Sequence, residues 1–172
     1  MAEESHDRTA AAAVTYTMVE RLVEAGDVDT AEALLDARSP AVLDVSDPHD
    51  RAAAQALHDA GRALVAMRRG EVAAARVFAA SAVLLRRGLG VPVETDEWLL
   101  EIASIATLAG ATDEVEDLHH RLGPALDPQR RAVLAGFATP DDVSSDVPQR
   151  RDLLRLGTAL RAAMGPTPAP AV

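Results

Sequence analysis

Three glycines divide the first two thirds of the sequence at nearly regular intervals, and each lies between two stretches of helix-forming composition. Gly26, Gly70 and Gly110 are separated by 44 and 40 residues. Glycine adopts the left-handed backbone conformation that ends many helices without steric cost. The residues five positions after these glycines are small or β-branched: Ala31, Ala75 and Val115. A period near 40 residues predicts helix pairs joined by tight turns, in which the small residue allows close approach of the second helix.

Composition favours an all-α fold. Alanine, leucine, arginine and glutamate are strong helix formers, whereas aromatic residues, which favour strands, make up only 2% of the chain. A chain of 172 residues is long enough for one core, and without cysteine it has neither a disulfide framework nor a thiolate metal site. We therefore expect a single helical-repeat domain over residues 1–165, followed by a flexible, proline-rich tail over residues 166–172.

Capping residues, glycines and prolines predict where the helices begin and end. The first pair is predicted over residues 7–25 and 29–37, with the prolines of the following segment preventing further helix. Asp47 and Pro48 predict the start of a third helix, which runs to residue 69 and is followed by a fourth over 71–87. Thr95 is predicted to cap a fifth helix and Thr112 a sixth. Two C-terminal helices are predicted over residues 127–136 and 148–164.

Apolar spacing predicts which helix faces are buried. The first helix is expected to bury Val14, Met18, Val19 and Leu22. The fifth is expected to bury Leu99, Ile102, Ala103 and Ala106.

These helix pairs resemble the tetratricopeptide repeat, a family of antiparallel helix hairpins in which a turn glycine is followed five residues later by a small residue. Gly26 with Ala31 and Gly70 with Ala75 match that pattern, and the third unit has Val115 in place of alanine. The resemblance covers about residues 8–126, with extra loop inserted at 38–47 and 88–95. It implies a right-handed solenoid of about three hairpins plus the C-terminal helices, with a concave face that binds a peptide, a helix or another subunit.

Charge and hydropathy exclude several classes of partner. The net charge of −10 disfavours nucleic acid, because binding depends on neutralising backbone phosphates. The longest apolar run, residues 77–85, is too short for a bilayer span, and the acidic N-terminus is unlike a secretory signal. We expect a cytoplasmic protein without a membrane segment.

No recognisable catalytic or cofactor motif is present. Without lysine the sequence has no phosphate-binding loop of the G-x-x-x-x-G-K type. The segment 112–121 places Glu116 and His120, and Asp113 and Asp117, four residues apart, which is the spacing of metal ligands on one helix face. Acids in the first turns and histidines in the last turn also complement the helix dipole, and we favour that explanation. We expect no enzyme activity, no metal and no cofactor.

The expected function is therefore a non-catalytic adaptor or scaffold that binds another protein, or a further copy of itself, in a groove between helix pairs. The alternative is a regulatory domain that senses a small ligand between those pairs. The candidate partner-binding residues are aromatic or basic: Tyr16, Arg62, Trp98, Arg130 and Arg131. For Trp98 and Tyr16, packing over neighbouring helices is the competing explanation, and for the C-terminal arginines it is pairing with nearby aspartates.

Overall fold

The computed structural model describes residues 2–92, 96–111, 113–116 and 120, and all regular secondary structure in this part of the chain is helical. The helices are α1 (Ala2–Ala25), α2 (Val28–Leu43), α3 (Pro48–Arg69), α4 (Val72–Gly88) and α5 (Glu97–Leu108). The predicted all-α class is confirmed for this part. The helices predicted over 127–136 and 148–164, and the tail over 166–172, lie outside the described residues.

The three glycine turns share one hydrogen-bonding pattern. Gly26, Gly70 and Gly110 have φ angles of 85°, 75° and 79°. In each turn, the residue after the glycine donates its backbone N–H to the carbonyl five positions earlier, over 2.9 Å at residues 27 and 71 and 2.8 Å at residue 111. This is the hydrogen bond of a Schellman cap, which satisfies a carbonyl that the helix end would leave free. The three turns predicted from glycine spacing are therefore equivalent in structure.

The predicted start of α3 is also confirmed, whereas the predicted end of α2 and the predicted cap at the start of α5 were wrong. Asp47 accepts hydrogen bonds from the backbone N–H groups of residues 49 and 50 at 2.8 and 3.0 Å, with Pro48 in the first helical position. Pro40 does not prevent helix, because α2 continues to Leu43 and Pro40 still accepts the N–H of Asp44 at 3.0 Å. The N-cap of α5 is Asp96 rather than Thr95.

The predicted buried face of α1 is confirmed for Val19, and Leu22 is partly buried, but the prediction was wrong for Val14 and Met18. Val14 and Met18 are 60% and 51% exposed, whereas Tyr16, Val19 and Val23 are almost completely buried. These three residues lie three and four positions apart, on the side of α1 that meets α2 and α3. The predicted buried face of α5 is confirmed, since its four residues are all buried: Leu99, Ile102, Ala103 and Ala106.

Helix α3 is the centre of the described fold. It packs against α1, α2, α4 and α5, and 13 of its 22 residues are buried. Most of those buried side chains are small, and two neighbouring helices approach α3 closely at Gly61. A Cβ atom there would lie 3.0 Å from Leu35 Cδ2 of α2 and 3.5 Å from Val19 Cγ1 of α1. Three helices therefore meet where one of them has no side chain.

A buried ion pair joins α4 to the start of α5. Arg86 Nε and Nη2 donate to Asp96 Oδ2 and Oδ1, each at 2.8 Å, and only 1% of the aspartate side chain is exposed. Asp96 also accepts the N–H of Leu99 at 3.0 Å. Arg86 also lies in the last turn of α4, where a positive charge complements the helix dipole. The ion pair with Asp96 holds the end of α4 against the start of α5, which residues 89–95 separate in sequence.

Replacing Gly61 by leucine should destabilise the fold, because the new side chain has no space between Val19 and Leu35. We expect a loss of about 3 kcal/mol in the free energy of unfolding, measured by urea denaturation followed by circular dichroism. Gly88→Leu is the control, since nothing lies within 4 Å of a Cβ atom at Gly88. Equal effects of the two substitutions would contradict the proposed crowding at Gly61.

Replacing Asp96 by asparagine should also be costly, because it leaves the largely buried Arg86 guanidinium without a counter-charge. We expect a loss of about 3 kcal/mol in the free energy of unfolding. Asp29→Asn is the control: Asp29 pairs with Arg69 at 3.0 Å but its side chain is 96% exposed, so no measurable change is expected. An Asp96→Asn variant as stable as the control would show that the buried pair contributes little.

Candidate ligand-binding cavity

A cavity of about 220 Å³ lies between α1, α2 and the first half of α3. Four exposed residues surround its mouth: Ala11, Arg38, Ala41 and Asp44. The deeper wall is largely apolar: Ala12, Thr15, Tyr16, Leu35, Val42, Val45, Ala54, Leu57 and His58. The cavity therefore has an apolar interior and a mouth that carries one cation and one anion.

The wall from α2 depends on the part of that helix beyond Pro40. Leu35, Arg38 and Val42 are spaced by three and four residues, which places them on one helix face. Val42 is buried although it follows the proline, so packing of this segment offsets the hydrogen bond that Pro40 removes. Because the predicted second helix ended at residue 37, this wall was not predicted from the sequence. The seven-residue spacing of Leu35 and Val42, about two helical turns, was the available signal that the helix continues.

An isolated histidine in a sequence is expected to be solvated, but His58 lies in the wall of the cavity. It is 7% exposed, and its Nε2 atom lies 3.2 Å from the carbonyl oxygen of Leu35. Because a carbonyl oxygen only accepts, this ring nitrogen carries the hydrogen. Nδ1 makes no hydrogen bond and is enclosed, 3.9 Å from Asp59 Oδ1. His58 therefore connects α3 to the backbone of α2.

Asp59, the next residue, is buried on the side of α3 that faces α4. Its two carboxylate oxygens accept hydrogen bonds of 2.7 Å, one from Gln55 Nε2 and one from Ser81 Oγ. A buried carboxylate is costly unless its oxygens have such partners. Asp59 thus contributes a polar contact between α3 and α4.

Two of the predicted partner-binding residues meet each other. Tyr16 is 1% exposed, and its ring meets Trp98 edge to face, with 5.7 Å between ring centroids and an interplanar angle of 87°. The Tyr16 hydroxyl donates to Glu101 Oε1 at 2.7 Å. Trp98 is half-buried against the core, in agreement with the competing explanation that it packs over neighbouring helices. Tyr16 is therefore buried between helices and is not exposed to a partner protein at the surface.

The remaining predicted residues are spread along the chain. Arg62 is half-buried, donates to Asp36 Oδ1 at 2.8 Å, and places its guanidinium 5.7 Å from the centre of the Phe78 ring. It therefore links α2, α3 and α4. Arg130 and Arg131 lie outside the described residues.

Within the described part of the chain, no group of three or more histidine, aspartate or glutamate side chains is placed to hold a metal ion. Of the candidate segment 112–121, Asp113, Glu116 and His120 belong to that part, whereas Asp117 lies outside it. No helix in the described ranges has the length and apolar character needed to cross a bilayer.

Comparison with known proteins assigns no family. The sequence matches no protein-family model and no curated protein, and no solved structure matches the chain.

Proposed function

We propose that this protein is a non-catalytic regulatory domain that binds a small, mostly apolar ligand in the cavity between α1, α2 and α3. The observation that carries the proposal is the cavity itself, with its apolar wall and a mouth lined by exposed residues. Ligand sites are typically concave, largely apolar and supplied with a few polar groups that orient the ligand. This cavity has those properties.

The volume of the cavity limits the size of the ligand that it can hold. An apolar cavity of about 150 Å³ is enough to hold benzene. A cavity of about 220 Å³ is therefore suited to a single aromatic ring or a branched aliphatic chain with a small substituent. The alanines at positions 12 and 54 keep this space unfilled, since longer side chains at either position would occupy it.

Contacts of Tyr16 provide a route from the cavity to α5. Tyr16 lines the cavity, and its ring and hydroxyl contact Trp98 and Glu101. A ligand that favours one position of the Tyr16 side chain would therefore bias the position of α5. Such an effect requires different affinities for the two arrangements of the helices. Trp98 is the only tryptophan of the chain, so its fluorescence reports on this contact.

Protein binding remains a second candidate, supported by an apolar stripe on α4. Val77 and Leu84 are 67% and 57% exposed and, together with Ala80 and Leu85, line an open groove beside the start of α3. Helix α4 has no acidic residue and carries the exposed Arg76, although the whole chain has a net charge of −10. We therefore propose an acidic amphipathic helix of another protein as the occupant.

The packing of the helices is compatible with this second function. Helix α3 contacts both helices of the first pair, and α4 contacts α5, as expected when successive hairpins stack. A tetratricopeptide-like arrangement of the hairpins is part of this proposal.

Ligand binding in the cavity is tested by filling it. A thermal-shift screen of small aromatic and branched aliphatic compounds should raise the melting temperature of the wild-type protein by mass action and change its Trp98 fluorescence. Ala12→Leu places a larger side chain in the cavity wall and should abolish both responses. Ala10→Leu is the control, because Ala10 is exposed on the same helix and does not line the cavity. Compounds that bind the two variants equally would overturn the proposed site.

The α4 groove has a separate test. An acidic amphipathic peptide, labelled for fluorescence anisotropy, should bind the wild-type protein and lose at least tenfold in affinity with Leu84→Asp, because a charge then replaces an apolar contact. Val14→Asp is the control, since Val14 is similarly exposed but belongs to α1. Equal losses for both variants would indicate general repulsion between acidic surfaces and would contradict a groove on α4.

A further inference from the structure

The charged residues at the mouth of the cavity indicate which chemical group the ligand carries. Arg38 is exposed on the α2 face whose Leu35 and Val42 form the apolar wall. It makes no ion pair or hydrogen bond within the described part of the chain. Along α2, the residues three and four positions away from it are leucine, alanine and valine, so no acid of its own helix neutralises it.

Other arginines that contact α2 are paired, which makes Arg38 different from its neighbours. Arg62 binds Asp36 at 2.8 Å, and Arg69 binds Asp29 and Glu32 at 3.0 and 2.7 Å. The hydrogen bonds to Glu32 and Asp29 raise the pKa of Arg69. At the mouth of the cavity, Asp44 already interacts with another group. The guanidinium of Arg38 is therefore the charge at the mouth that is left to a ligand.

We propose that the cavity binds a small carboxylic acid, with its apolar body inside and its carboxylate at the mouth on the guanidinium of Arg38. This proposal rests on the proposed ligand-binding function. A guanidinium presents two parallel N–H donors that match the two oxygens of a carboxylate, so it fixes orientation as well as charge. The polar groups of the wall already donate hydrogen bonds within the protein: the Thr15 hydroxyl, the Tyr16 hydroxyl and His58 Nε2. A carboxylate held inside would therefore lose hydration without compensation.

The volume of the cavity limits the size of the carboxylic acid that can bind. Benzoate and 3-methylbutanoate have bodies suited to about 220 Å³, whereas a long fatty acid exceeds that volume. The neutral amides of the two acids have almost the same shape and lack the charge. Acid and amide therefore form matched probes, in which the difference in affinity isolates the contribution of the carboxylate.

The experiment measures the affinities of benzoate, benzamide, 3-methylbutanoate and its amide by calorimetry, in wild type, Arg38→Gln and Arg76→Gln. We expect each acid to bind wild type about tenfold more tightly than its amide at low salt, which corresponds to about 1.4 kcal/mol. Arg38→Gln should remove this preference and leave the affinity of the amides unchanged. Arg76 is exposed on α4 and does not line the cavity, so Arg76→Gln should retain the preference. Added salt should weaken only the binding of the acids.

The possible failures are distinguishable. Equal binding of acid and amide in wild type, or a preference that survives Arg38→Gln, would overturn the carboxylate proposal. If the amides still bind in that case and Ala12→Leu abolishes their binding, the proposed ligand-binding function stands. If neither acids nor amides bind wild type, and no compound in the thermal-shift screen binds, both proposals fail.

Discussion

The fold depends on α3 being narrow enough for four other helices to pack around it. Gly61 allows Val19 and Leu35 to approach the backbone of α3, and the buried alanines of α3 are small enough for this packing elsewhere. Such packing maximises contact between helix surfaces, but it leaves little tolerance for added volume. The small side chains of α3 therefore determine how closely the other helices approach.

The same use of small residues also leaves the cavity unfilled. It lies one to two helical turns from Gly61, where Ala12 of α1 and Ala54 of α3 face the space beside α2. The helices are held there by polar contacts as well as by apolar packing, since His58 donates to the Leu35 carbonyl. A buried donor and acceptor favour one relative position of two helices, because any other position leaves both without partners. The cavity is thus bounded by elements with a defined register.

Contacts between distant parts of the chain connect this cavity to α5. Tyr16 and Glu101 are 85 residues apart and share a hydrogen bond of 2.7 Å, while Trp98 packs on the Tyr16 ring. Arg86 and Asp96 hold the start of the same helix against α4. Ligand binding beside Tyr16 and movement of α5 would consequently involve the same side chains. This is the physical basis for considering the protein a sensor rather than only a scaffold.

Local chemistry in the sequence determined the helical class, the glycine turns at Gly26, Gly70 and Gly110, and the cap at Asp47, because each depends on residues only a few positions apart. Tertiary packing decided the rest. Because of packing, α2 continues past Pro40, Val14 and Met18 are exposed, and His58 is buried. The free energy that favours these arrangements comes from contacts with residues far away in sequence. The cavity and the Tyr16 contact with α5 belong to this second group. No local pattern specifies which helix faces meet, and that choice depends on how whole surfaces fit together.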